Sequence, residues 1–188
     1  MTSHAQRLAS ERERIRQFLA GSQCKIVIDV QGLSHREICG LLYGGGLAEI
    51  GVGIRYVLAL MLYACPFPGI KNLVYRAMGM HVGKGAYISP GCYLDVVHPG
   101  LLTIGDNAVL GMGSAVATHE RCRDVLVLGR VEIGSGALVG GMSVVRAGTR
   151  IGANAELDMM LNVSRNVAPG ERVPSPRNGR PLPPLPEK

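Results

Sequence analysis

The chain has 188 residues, 47% of them hydrophobic, and a formal net charge of +6, enough for one domain with an appendage and a sizeable core. Its five cysteines (Cys24, Cys39, Cys65, Cys92, Cys122) form neither a CxxC pair nor a Cys/His cluster at zinc spacing. The basic surplus is modest and comes without a row of aromatic platforms, which speaks against a nucleic-acid surface.

In chain order, residues 5–20 alternate charge with Leu8, Ile15, Phe18 and Leu19 and read as a short amphipathic helix. It lacks the apolar run of a signal peptide, and the scattered cysteines fit a reducing compartment; the expectation is a cytoplasmic protein. Lys25 to Val30 is a β-like run. Ser34 caps a helix from His35, with Glu37 at the capping-box position. Gly44-Gly45-Gly46 breaks the chain and lacks the following Lys-Ser/Thr of a phosphate loop. Residues 1–46 form a helical and mixed segment to which the sequence assigns no role.

Residues 47–79 predict apolar and amphipathic helices. Tyr56 to Cys65 is wholly apolar and ends at Pro66-Phe67-Pro68, well short of the about 20 residues of a spanning helix. Ile70 to Met78 follows as a second helix, with Lys71 and Arg76 on its polar side. Tyr and Phe beside Lys and Arg on short apolar helices suit a membrane interface; capping of the following domain, or packing on a partner subunit, suits them equally. Residues 1–79 carry nine Lys/Arg against five Asp/Glu.

From Met80 to about Ala168 the sequence repeats every six residues. Ile133, Val139, Val145, Ile151, Leu157 and Val163 are all aliphatic, as are Val82, Ile88, Leu94 and Ile104, Leu110, Val116. Six such hits in a row arise by chance on the order of once in a thousand tries. Four residues after the aliphatic lie small residues: Ala86, Cys92, Ala108, Ser114, Ala137, Ser143, Thr149 and Ala155. The pattern predicts a mainly β fold, a triangular parallel β-helix of about five coils preceded by the short helices. The aliphatic and the small residue both point inward, and glycines such as Gly83, Gly105 and Gly134 free the backbone at corners. Ordinary parallel strands would need longer connections. The register breaks twice, at a bulge around His98-Pro99-Gly100 and over 118–129, where a loop is expected. Residues 169–188 are Pro-rich and aperiodic, an extended tail.

The 118–129 loop opens with Thr118-His119-Glu120. A histidine at the mouth of an insertion is a candidate general base for moving an acyl group from a thioester to a hydroxyl or amine; the bland alternative is a solvated loop histidine. On an extended strand Glu120 faces away from His119, so Asp124 or a backbone carbonyl is the better candidate to orient the ring. Asp95, at the first register break, either contacts the acceptor or caps a turn. Asp95, Glu120 and Asp124 are the acceptor-side candidates.

At Val82-Gly83-Lys84-Gly85, Leu102-Thr103-Ile104-Gly105-Asp106-Asn107, Thr118-His119-Glu120, Gly129-Arg130-Val131-Glu132-Ile133-Gly134 and Gly141-Met142-Ser143-Val144-Val145, the chain resembles the hexapeptide-repeat acyltransferases. The resemblance covers residues 67–168. It implies a left-handed β-helix, acetyl-CoA or a related acyl-CoA as co-substrate, no metal, and a homotrimer with active sites between neighbouring prisms. His119 is then the base. The pantetheine arm lies along Gly140, Gly141 and Ser143 and the Ala155–Asp158 stretch, held by backbone amides. Arg146, Arg150 or Arg165 meets the CoA phosphates, unless these are solvated corner residues. Where family members often end on Gly-x-Pro-Ala, this chain reads Pro174-Ser175-Pro176-Arg177-Asn178-Gly179.

Two rivals remain. A γ-type carbonic anhydrase shares the fold but needs three zinc histidines; His81, His98 and His119 supply no ligand pair on one coil. A non-catalytic trimeric scaffold, at a membrane or within a complex, needs no base at all. The expected reading is the acyltransferase, with contact through 47–79 to the inner face of a membrane or to a partner.

Overall fold

A computed structural model describes residues 4–175. Four helices and one strand come first: α1 (His4–Ala20), β1 (Lys25–Asp29), α2 (His35–Tyr43), α3 (Leu47–Tyr63) and α4 (Pro68–Ala77). The strands that follow are β2 (His81–Val82), β3 (Tyr87–Ile88), β4 (Tyr93–Leu94), β5 (Leu102–Ile104), β6 (Val109–Leu110), β7 (Ala115–Val116), β8 (His119–Cys122), β9 (Val125–Gly129), β10 (Val131–Ile133), β11 (Leu138–Val139), β12 (Val144–Val145), β13 (Arg150–Ile151), β14 (Glu156–Leu157), β15 (Asn162–Val163) and β16 (Arg172–Val173). Outside the β8–β9 excursion, successive strands from β2 to β15 go to successive walls, and between β15 and β16 the first wall is met by Val167, which bridges to Ile151. The first wall is β2-β5-β10-β13, the second β3-β6-β11-β14-β16 and the third β4-β7-β12-β15, all parallel.

The six-residue aliphatic positions stack on one another from coil to coil. Val82 pairs with Ile104, Ile104 with Ile133 and Ile133 with Ile151; Leu94, Val116, Val145 and Val163 do the same on the third wall. These residues and the small-residue column are buried together, so both columns face the interior and build one continuous core. The wall glycines act differently from the expectation. At Gly105 an added Cβ would lie 2.5 Å from the Ser135 backbone nitrogen of the next coil; the residue is small because two backbones touch. The left-handed backbone falls two residues later, at Asn107 with φ 55° and at the equivalent Gly136 with φ 69°. The second-wall ladder also passes the expected boundary at 168, because Glu156 and Leu157 pair with Arg172 and Val173. Residues 176–188 of the expected Pro-rich tail lie outside the described residues.

The first 46 residues acquire a place. β1 pairs antiparallel with β9, which pairs antiparallel with β8, giving a three-stranded sheet β1-β9-β8. The expected loop over 118–129 is therefore a hairpin laid against the N-terminal segment. A second core joins Ile15 and Phe18 of α1, Ile28 of β1, Leu41 and Leu42 of α2, Leu126 and Leu128 of β9 and Val97 and Leu101 of the bulge. Ser34 accepts the Glu37 N–H and Glu37 accepts the Ser34 N–H at 2.8 Å, closing the capping box of α2. Arg130 donates to the carbonyls of Phe18, Leu19 and Gly21 at the end of α1. Among the described residues no single helix is long and apolar enough to cross a membrane; α2 and α3 pass that test only as a pair bent by 82°.

Candidate active site

The two register breaks meet at one corner. Leu94 and Val116 are partners on adjacent coils of the third wall. The residues leaving each strand therefore emerge side by side: Asp95 from the first coil, Thr118 and His119 from the second. Asp95 is 1% exposed. Its Oδ2 accepts from Thr118 N at 2.9 Å, Thr118 Oγ1 at 2.8 Å, His119 N at 3.0 Å and the His119 ring Nδ1 at 2.6 Å. Its Oδ1 accepts from Val97 N at 3.0 Å. Burial pushes the carboxyl up, but the hydrogen bonds and charge of His119, with the Val97 and Thr118 donors, outweigh it and hold Asp95 below the usual carboxylate range. An ionised Asp95 accepts the hydrogen bond of the ring Nδ1–H and so leaves Nε2 as the acceptor. The His119 side chain is 22% exposed.

The hairpin is held from several sides. Glu120, next along β8, points the other way: its carboxylate binds the Arg146 guanidinium through Nε at 3.0 Å and through Nη2, and accepts Ala147 N–H at 2.8 Å. Burial raises the Glu120 pKa, yet Arg146 and the Ala147 amide bring it below the usual range. Arg55 of α3 donates to Val96 O at 2.8 Å and Val97 O at 3.1 Å, clamping the bulge just past Asp95. Next to it, His98 has a ring Nε2 that is buried without a partner among the described residues, and burial lowers its pKa. This imidazole lines two clefts of about 320 and 330 Å³.

The structure thus brings His119 and Asp95 together and separates the other candidates. Asp95 faces the histidine from below instead of an acceptor from above. Glu120 is engaged with Arg146. Asp124 sits in the turn at the hairpin tip, beyond about 10 Å of strand from His119 to Cys122, where its backbone carbonyl accepts the Val30 N–H at 2.7 Å. On the cofactor side, Gly140 and Gly141 lie at the corner after β11, where the Gly140 N–H is committed to Leu157 O at 2.9 Å. Ser143 is fully buried; its Oγ donates to Asp158 O and accepts Leu161 N–H, each at 3.1 Å. The Ser143 hydroxyl is a link between coils and is not offered to a ligand. Arg150 pairs with Glu132 at 2.8 Å and Arg165 with Glu171 at 2.6 Å. Among the described residues no group of three His, Cys, Asp or Glu side chains gathers as a metal site requires.

The hexad register held the signal for the Asp95–His119 pair. Both breaks follow the same wall one coil apart, so the residues after Leu94 and Val116 had to share a corner. The Glu120–Arg146 pair had no comparable signal.

Comparison with solved structures settles the architecture. A hexapeptide-repeat acetyltransferase of Vibrio cholerae, VCA0836, superposes with a TM-score of 0.56 and 17% identity, over 76% of this chain and 95% of that one. The fold is that of the hexapeptide-repeat acetyltransferases. The same Vibrio protein complexed with acetyl coenzyme A matches at 0.54 and 16% identity over 68% of this chain and 84% of that one. A maltose O-acetyltransferase of Clostridium difficile 630 matches at 0.50 and 16% identity over 66% and 82%. In sequence, the chain is 28% identical over 109 residues to "Putative acetyltransferase YvoF" of Bacillus subtilis (strain 168). That stretch is 57% of this chain and 63% of the relative, so the match spans less than two thirds of the relative's length. No family model matches the chain.

Proposed function

We propose that this protein transfers an acyl group, acetyl in the simplest case, from a CoA thioester to a hydroxyl or amine, with His119 as general base. The observation that carries the reading is the bond from His119 Nδ1 to buried Asp95. It fixes the tautomer, with Nδ1–H on Asp95 and Nε2 left as the acceptor. In the reaction, Nε2 takes the acceptor's proton as the acceptor oxygen or nitrogen bonds to the thioester carbonyl carbon. The imidazolium, held by Asp95, returns that proton to the sulfur as the carbon–sulfur bond breaks. Such assistance is worth about 10²–10⁴ in rate. The likeness to the B. subtilis relative and to the fold of an enzyme solved with acetyl-CoA supports the thioester as donor.

The finer parts of the reading are a left-handed prism of about five coils, a homotrimer, and active sites between subunits in the cytoplasm. An apolar ridge supports the trimer: Met112, Met142, Met159 and Met160 are exposed along the corner between the second and third walls. The third wall runs from that ridge to the His119 corner, so a neighbouring prism on the ridge would turn the wall into a groove ending at His119. Arg150 and Arg165 side chains are each 59% exposed; surface ion pairs are weak, so exchanging a glutamate for a phosphate costs little at either.

The test is release of free CoA thiol from acetyl-CoA with sugar and amine acceptors. His119→Ala and Asp95→Asn should each lower kcat by about 10²–10⁴, with little change in acetyl-CoA affinity. Turnover unchanged in His119→Ala sinks the base. Absence of turnover with every acceptor leaves the non-catalytic scaffold as the better account.

A further inference from the structure

The two register breaks meet twice. They leave the third wall together at the Asp95–His119 corner, and they rejoin the first wall together, because Leu102 pairs with Val131. Leu101 and Arg130 therefore stand side by side just ahead of that wall. Between them, the end of α1 and α3 lies the cleft of about 330 Å³. Leu19, Val97 and Leu101 give it an apolar lining, and the His98 imidazole, whose Nε2 is buried without a partner among the described residues, borders it. Its charged lining is two half-buried guanidiniums, Arg55 and Arg130, and no Asp or Glu. Every hydrogen bond these two side chains make among the described residues goes to a backbone carbonyl, through Nε and Nη2. Their Nη1 groups donate to nothing among those residues. Carbonyls hold a guanidinium in place but leave its charge whole, and no carboxylate pairs with either arginine among the described residues. Two like charges half out of water against one apolar cleft are costly, and an anion between them removes the cost.

We propose that this cleft binds a small organic anion, a carboxylate on a short apolar chain. The head sits on the Arg55 and Arg130 guanidiniums and the chain lies against Leu19, Val97 and Leu101. The donors select the head: charge-assisted N–H bonds to a carboxylate are the strong ones, and the two Nη1 groups have them to give. The lining selects the body, since each methylene buried there adds to affinity, and the volume is at the small end for a ligand site. A neutral ligand would leave both charges uncompensated, and a cation would be repelled. Neither His119 nor Asp95 lines the cleft. None of this depends on the acyl-transfer reading, and the test reads binding instead of turnover.

The full chain is titrated at constant ionic strength with acetate, butyrate and hexanoate, and with butyramide, which has the shape of butyrate without its charge. The ring signals of the five histidines are followed by NMR. The His98 signal should move with butyrate and saturate. Affinity should rise about fourfold for each added methylene, and butyramide should bind about tenfold or more weakly than butyrate. Arg55→Gln and Arg130→Gln should each weaken butyrate about tenfold or more, with thermal unfolding as the check that the variant is folded. If neither variant folds, butyrate against butyramide on the wild-type chain decides. No saturable shift at His98 with any of the three acids overturns the proposal. So does equal binding of butyrate and butyramide, or wild-type affinity in a folded Arg130→Gln. A shift confined to His119 overturns it as well, because the anion then occupies the transfer site.

Discussion

Five donors converge on the Asp95 carboxylate, and its folded pKa is lowered. A carboxyl lowered on folding stabilises the fold fully above its unfolded value, about 3.9. That contribution drains away as pH falls through the lower folded value. Asp95→Asn keeps the shape but presents two N–H groups to a ring of donors. It should cost about 3 kcal/mol near neutral pH. In denaturant titrations the gap between wild type and Asp95→Asn should then narrow below about pH 4; a gap constant with pH would mean the ionised form is not what the fold holds. Glu120 shows the limit of reasoning on single residues. Strand alternation correctly turned it away from His119, but its partner Arg146 lies a coil away, and no local pattern links the two.

The elements differ in how much of them the sequence reveals. Inward positions repeat strictly because each aliphatic must stack on the one below, so Ile104, Ile133 and Ile151 announce themselves. The corner glycines were legible in position and not in purpose, since close approach of two coils leaves no trace in one coil's sequence. Gly105→Ala places a carbon 2.5 Å from Ser135 N, where backbone cannot give way. It should destabilise by about 3 kcal/mol, read as a fall in Tm. α4 was legible as a helix but not in its orientation, because the demand for donors comes from another element: Lys71, Asn72 and Arg76 turn inward to the carbonyls of Ser89, Ala86 and Val82. The β1–β9 pairing was hidden for the same reason: Lys25 to Val30 read as a β-like run without a partner until the hairpin supplied one. Ile28→Ala, on the edge strand β1 but fully buried in the second core, should cost about 2–5 kcal/mol.

At the scale of the molecule, a prism whose residues 80–168 carry seven Lys/Arg against seven Asp/Glu has an apolar ridge on one corner and an apolar cap at one end. If the ridge joins prisms, Met142→Glu should lower the solution mass from trimer to monomer by light scattering and abolish turnover, leaving the fold intact. A mass already monomeric in the wild type rules the intersubunit site out. The sheet that steadies His119 has one further effect, on how the chain matures. Lys25 is zipped to Gly129, so the opening segment leaves the ribosome long before its mate is translated. Until then Ile28 has no sheet to enter, and the nascent protein carries a sticky, waiting edge. Placing the imidazole accordingly waits until the first two coils and the hairpin after them have been made.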